Sequence, residues 1–290
     1  MFSDLLVIIE QSSHLDFGDA TKLTINFIDS CNKDNFIDII KQIGTIPESI
    51  NHDSTEEKLF AKISDAVLSR AFREIGLKSR VLIERADAAD VIAESPIHGY
   101  TLVADAKAFR MSRTAKNQKD FKVVSLSSWR NDADYAVLCS PYFQYPLTMS
   151  QIYAQSINHN VCLLSWEHLI FMIEHGIKES VSINLTQVWD FTEYYSQVCT
   201  CNNMKKCYFE DFNARFTEII GLTLEGYIQF IQKQIEVLKA RAGLEKVFWN
   251  HEIDIIKNYT KEQAIEELIS CKKIREKIIR IDAYIGGLRI

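Results

Sequence analysis

The hydrophobic pattern of the chain changes period twice. Over residues 1–50 apolar positions recur at helical spacing. Ser3 can cap a segment over 4–10, Asp16 can cap one carrying Phe17, Leu23, Phe27 and Ile28, and a run over 35–43 ends at Gly44 with Pro47 beyond. The next stretch, S-T-E-E-K-L-F, sets Ser54 and Glu57 in the positions of an S-x-x-E capping box. Leu59, Phe60, Ile63, Val67, Leu68, Ala71 and Phe72 follow at intervals of a helix that Gly76 closes. The period then shortens. Runs over 80–84, 90–93, 100–107, 135–139 and 161–165 read as strands, with a turn at His98-Gly99 and a helix over 148–157 before the last of them. From about 205 the pattern is helical again, over 211–220, 224–241, 244–257 and 274–288, and Thr260 with Gln263 opens a helix running to Cys271.

This order predicts an α/β fold, a mixed β-sheet flanked by helices with helical N- and C-terminal extensions. One domain over 1–290 is expected: a helical extension over 1–50, a core over 54–175 and a helical region over 205–290. Only 4 prolines and 10 glycines leave little material for a linker. No apolar stretch approaches the roughly 20 residues that cross a bilayer, and no basic segment precedes the short apolar run at the N-terminus. With 7 scattered cysteines this predicts a cytoplasmic protein without a membrane partner. Cys199, Cys201 and Cys207 cluster, but C-x-C-x5-C lacks paired C-x2-C halves, so a polar loop carrying thiols is preferred over a zinc site.

Charge changes the picture locally. The net value of −6 does not exclude nucleic acid, because phosphate binding follows local rather than total charge. Lys107, Arg110, Arg113, Lys116, Lys119 and Lys122 stand against the single anion Asp120 in that stretch. The cations recur every three residues, which suits a segment wrapping a groove better than one helix face. Ser112, Thr114, Asn117, Gln118 and Asp120, interleaved among them, are the types that read base edges. A solvated basic loop is the plainer alternative.

Just before that run, Asp105 and Lys107 lie two apart at the end of a strand, so both project to one face. Asp90 opens the preceding strand, and a hairpin turning at Gly99 brings it beside Asp105. Two converging carboxylates suit a hard cation with oxygen ligands, Mg²⁺ where phosphate also coordinates. The ion polarises a phosphoryl oxygen and lowers the pKa of a water, while the lysine orients that water or offsets transition-state charge. D-x-K alone is common at solvated strand ends; the preceding D-V-I-A and the upstream Glu-bearing helix raise it to a candidate nuclease site. Glu57 is equally a helix cap or a further metal ligand, and Glu84 more readily pairs with a nearby cation.

Together these residues resemble a known family. E-K-L-F-x-K, A-x-D-V-I-A, L-V-A-D-A-K-x-F-R-x-S-R-T-A-K-N-Q-K-D-F-K-V, D-Y-A-V-L, F-Q-Y-P and S-W-E-H-L are similar to the HindIII-type type II restriction endonucleases, most specifically over 99–123. The resemblance implies a PD-(D/E)xK nuclease core, Mg²⁺, a homodimer, and double-strand cleavage of palindromic DNA, AAGCTT for the family's namesake. A cognate methyltransferase would act on the same site without a stable complex. Asp90, Asp105 and Lys107 match the two acids and the lysine of the motif, and Glu57 the helix glutamate of many such cores. Ala89 stands where the motif's proline would be. Arg113, Lys116, Asn117, Lys119, Asp120 and Lys122 are the expected DNA contacts. A repair or recombination nuclease of the same fold, and a DNA-binding protein that no longer cleaves, are the competing readings.

Overall fold

The computed structural model describes residues 1–82, 89–113, 118–147, 149–198 and 205–286. The N-terminal region is three helices, α1 (Phe2–Ser12), α2 (Phe17–Ser30) and α3 (Lys33–Ile43). Asp16 caps α2 by accepting from the Gly18 amide, and Asn32 caps α3. Ser3 caps nothing, because α1 already begins at Phe2.

Helix α4 (Thr55–Glu74) starts where Ser54 Oγ accepts from the Glu57 amide, and its apolar face packs across the sheet. Strands β1 (Lys78–Val81), β2 (Val91–Glu94) and β3 (Thr101–Ala106) follow, then the short helices α5 (Gln118–Phe121) and α6 (Val123–Trp129). Next come β4 (Tyr135–Ser140), α7 (Gln151–His159), β5 (Val161–Ser165) and α8 (Trp166–Glu174). The strands lie in sequence order, with β1, β2 and β3 antiparallel and β3, β4 and β5 parallel. This is the mixed, helix-flanked sheet that the alternation of periods predicted. The β2–β3 turn places Gly99 at φ +73°, a conformation that costs a glycine little and other residues more.

Helices α9 (Thr186–Trp189), α10 (Phe191–Val198), α11 (Lys205–Ile219) and the first half of α12 (Leu224–Lys257) complete the packing. Phe209, Phe212, Phe216, Tyr227 and Phe230 join the buried core. Tyr227 and Phe230 thus pack on the core.

By contact density the chain forms two compact units, Met1–Lys239 and Ala240–Ile290. The second holds the end of α12, α13 (Lys261–Cys271) and α14 (Ile274–Gly286). The break expected after Arg241 is not there: α12 runs unbroken for 34 residues through Gly243. A helical glycine costs only about 1 kcal/mol, and an Arg241–Glu245 ion pair of 2.5 Å spans it. In this unit Leu244, Val247, Leu268, Ile278, Ile279 and Ile281 are exposed.

Candidate active site

The register of β2 and β3 builds the centre. Val91 pairs with Ala104, so Asp90, one residue before Val91, stands beside Asp105, one residue after Ala104. Asp105 is buried, and Lys107 Nζ donates to its Oδ2 over 2.5 Å. The Lys107 backbone is fixed independently: its amide donates to the Cys139 carbonyl at 2.7 Å, and its carbonyl accepts from Trp166 Nε1 at 3.1 Å. Just beyond, Phe109 exchanges backbone hydrogen bonds with Gly44 and Ile46, tying the exit of β3 to the loop after α3. The three residues expected at the centre are thus brought together by strand register and by the D-x-K spacing.

The third acid is not the expected one. Asp65, in the middle of α4, brings a carboxylate oxygen within 4.8 Å of those of Asp90 and Asp105. Its Oδ1 accepts a long hydrogen bond of 3.4 Å from the Ala106 amide. Glu57 lies elsewhere. Its carboxylate accepts from the Asp53 amide at 2.7 Å and from Arg110 at 2.7 Å, in a separate exposed group with His52 and Asp53. Eight residues of helix separate Glu57 from Asp65, a rise of about 12 Å. The structure thus places Glu57, expected as a further ligand beside Asp90 and Asp105, apart from them: it braces the chain leaving β3, and Asp65 is the acid of α4 that lies beside the other two.

A second lysine completes the group. Lys62, one turn before Asp65, donates from Nζ to Asp90 Oδ1 at 2.8 Å and to the Leu82 carbonyl at 3.0 Å, and lies 3.8 Å from Asp65 Oδ2. The charges show in the titration. Burial, reinforced by Asp90 and Asp105, holds the Asp65 carboxyl well above the usual carboxylate range. Burial also raises Asp105, against the opposing pull of Lys107. Close carboxylates desolvated in this way resist ionising together, and a cation relieves both penalties. The ligand atoms are all carboxylate oxygens, with no thiol or imidazole among the three, a donor set that fits Mg²⁺.

The basic segment beyond is held in part. Arg110 donates to the Pro47 carbonyl and to Glu57, and Ser112 donates from both its amide and its hydroxyl to Glu48, itself buried. Arg113 pairs with Asp120 at 2.5 Å, so the anion of the run braces a cation. Arg113, Lys119 and Lys122 are exposed; Lys116 and Asn117 lie outside the described residues, as does Glu84.

One other hydrogen-bonded line invites a nucleophile reading: Ser165 Oγ to His168 Nδ1 at 2.7 Å and His168 Nε2 to Asn213 at 2.9 Å. All three are buried, and burial lowers the His168 pKa to about 3. Ser165 and His168 form the capping box of α8, with Asn213 bonded to the far side of the ring, and burial leaves no access for a substrate. Of the cysteines, Cys31, Cys139, Cys162 and Cys271 are free thiols and Cys207 is disulfide-bonded, which corrects the thiol reading there. Cys199 and Cys201 lie outside the described residues.

The family model of the HindIII restriction endonuclease matches residues 9–284. The chain belongs to the HindIII restriction endonuclease family. It is 43% identical to the type II restriction enzyme HindIII of Haemophilus influenzae (strain ATCC 51907 / DSM 11121 / KW20 / Rd) over 285 residues, 98% of this chain and 95% of the relative. Among solved structures, that of the restriction endonuclease FokI is similar at a TM-score of 0.31 and 15% identity, over 45% of this chain and 29% of the other.

In this HindIII-family chain no motif singles out Asp65 or Lys62, although the sequence carries a signal for Asp65. Asp65 precedes Leu68 and Phe72 by three and seven residues, placing a charge on an apolar stripe that buries both. Charged residues are almost never fully buried unless paired, so such a position marks a functional candidate.

Proposed function

We propose that this restriction endonuclease homologue is a Mg²⁺-dependent type II enzyme that hydrolyses both strands of a palindromic DNA site, AAGCTT by its resemblance to the family's namesake. The observation that carries the reading is the convergence of Asp65, Asp90 and Asp105 with Lys107 at the exit of β3. Asp65, Asp90 and Asp105 would hold the ion. When bound, Mg²⁺ supplies Lewis-acid polarisation of a phosphoryl oxygen.

The chain's own groups do the rest. Lys107, rigidly based through its backbone and paired with Asp105, presents an ammonium to the phosphate or to the attacking water and offsets the charge gained in the pentavalent transition state. Asp105, desolvated and held by Lys107, keeps that ammonium in place. Arg113, Lys116, Lys119 and Lys122 contact phosphates, which position the protein without reading sequence, and Asn117 reads a base edge. Asp120 holds the Arg113 guanidinium at a fixed angle.

Two cuts on opposite strands of a palindrome need two equivalent centres, which an isologous homodimer supplies. The exposed Leu and Ile side chains of the second unit support this, since amphipathic helices in water need their apolar faces covered. A methyltransferase acting on the same site, without a stable complex, protects the host DNA. Among the described residues no helix is long and apolar enough to cross a membrane.

The test is digestion of phage DNA with Mg²⁺, followed by sequencing of the fragment ends. Discrete fragments ending within AAGCTT are expected. A smear or nicks would mean a nonspecific or repair nuclease, and a gel shift without cuts would mean a DNA-binding protein.

A further inference from the structure

We propose that Lys62 is the internal counter-ion of the metal-free centre: its ammonium stands in for part of the ion's charge, and it sets how tightly the ion binds. The proposal rests on the reading of Asp65, Asp90 and Asp105 as a metal site.

The geometry gives Lys62 a position that no helix-surface lysine needs. Its side chain is 16% exposed, and its Nζ lies between two acids, 2.8 Å from Asp90 Oδ1 and 3.8 Å from Asp65 Oδ2. Lys107 is committed to Asp105. Without an ion, Lys62 is thus the cation nearest Asp90 and Asp65 among the described residues, and it lets mutually repelling carboxylates stay assembled before the ion arrives.

Its third contact makes an exchange workable. An ammonium has three donors, and one of Lys62's is satisfied by the Leu82 carbonyl at 3.0 Å. When an ion takes over Asp90, Lys62 keeps this neutral acceptor and is not left as an unpaired buried charge. The Leu82 amide in turn donates to the Asp90 carbonyl at 2.8 Å, so the acceptor and the acid are fixed to one another by the sheet. The chain holds a cation that releases a carboxylate without leaving the site.

A brace and a counter-ion make opposite forecasts. If Lys62 only positioned Asp90, removing it would disorder a ligand and weaken metal binding. If it stands in for the ion, removing it takes away a competitor and a like charge beside the site, so metal binding tightens while the metal-free protein loses stability. The experiment titrates Mn²⁺ into purified protein, reading the free ion by electron paramagnetic resonance, with thermal unfolding followed in parallel. Lys62→Met and Lys62→Gln remove the charge; Lys62→Arg keeps it. We expect at least tenfold tighter Mn²⁺ binding for the two neutral variants and binding within threefold of wild type for Lys62→Arg. Both neutral variants should melt at lower temperature than wild type without metal and recover with it. Should Lys62→Met fail to fold, Lys62→Gln and Lys62→Arg decide between the two. Neutral variants that bind Mn²⁺ as weakly as wild type, or more weakly, overturn the counter-ion role alone. Wild-type protein that binds no Mn²⁺ overturns the metal centre itself, and the proposal with it.

Discussion

Replacing Asp65 by Asn tests the centre at the acid that the packing of α4 brings beside Asp90 and Asp105. The substitution keeps volume and removes one charge from a group whose carboxylate oxygens lie within 4.8 Å of one another. At about 4 Å and an effective dielectric near 20, two unit charges interact by about 4 kcal/mol, so a divalent ion loses about 8 kcal/mol of attraction. Part of that is never realised, because burial and the neighbouring acids already oppose ionisation of Asp65, and the ion must first overcome this. If half survives, the net loss is about 4 kcal/mol, roughly 10³-fold in ion affinity. The assay is plasmid cleavage as a function of Mg²⁺ concentration, with Glu57→Gln in parallel. Asp65→Asn should move the half-maximal Mg²⁺ concentration upward by two to three orders of magnitude. Glu57→Gln, which affects the contacts to Arg110 and to the Asp53 amide, should leave it within threefold and show its effect in thermal stability instead. An Asp65→Asn enzyme with unchanged Mg²⁺ dependence would refute the reasoning, and so would a large shift in Glu57→Gln.

Asp105→Asn and Lys107→Ala should retain DNA binding in a gel shift yet cleave at least about 10³-fold more slowly, a barrier increase of about 4 kcal/mol; either variant cutting at near-normal rates counts against the site. For pH, the raised Asp65 and Asp105 carboxyls hold protons in the folded state that the unfolded chain has released. Their stabilising contribution is therefore full below the ordinary carboxylate range and is lost as pH rises through their raised values. Metal-free wild type should thus become progressively less stable than metal-free Asp65→Asn as pH rises, and a difference in denaturation free energy that stays flat with pH would reject this. Ile278→Glu or Ile279→Glu should convert a sedimenting dimer to a monomer without loss of helical circular dichroism; wild type that is monomeric at micromolar concentration, free and on DNA, argues against the homodimer. Asn117→Ala should cost about 1–3 kcal/mol on the cognate site and little on random DNA, whereas Lys116→Ala should weaken both alike. Equal losses on both DNAs for Asn117→Ala would move base recognition elsewhere.

The sequence determined whatever depends on near neighbours. The i, i+2 relation of Asp105 and Lys107 follows from strand geometry alone, and Asp90 needed only a hairpin of known turn to reach them. Asp16 as a cap, the Thr260–Gln263 box and the helical and strand periods are likewise local, set by a residue and those within a turn of it. Where local rules were the only guide they also misled. Ser54 and Glu57 satisfied the S-x-x-E pattern, but the Glu57 side chain turned to the Asp53 amide and to Arg110, a partner 53 residues away that no spacing rule reaches. Gly243 looked like a break, yet the residues on either side, joined by the Arg241–Glu245 pair, carry the helix through it. Asp65 and Lys62 belong to the centre because α4 lies across β1 and β2 at one depth and one rotation, fixed by the packing of Leu59, Ile63, Val67 and Phe72 rather than by anything near Asp90 in the chain. A helix pattern states which face is buried; which of its turns meets the exit of a particular strand depends on how the two surfaces interdigitate. That is a property of the assembled core, and it decided which acid on α4 lies beside Asp90 and Asp105.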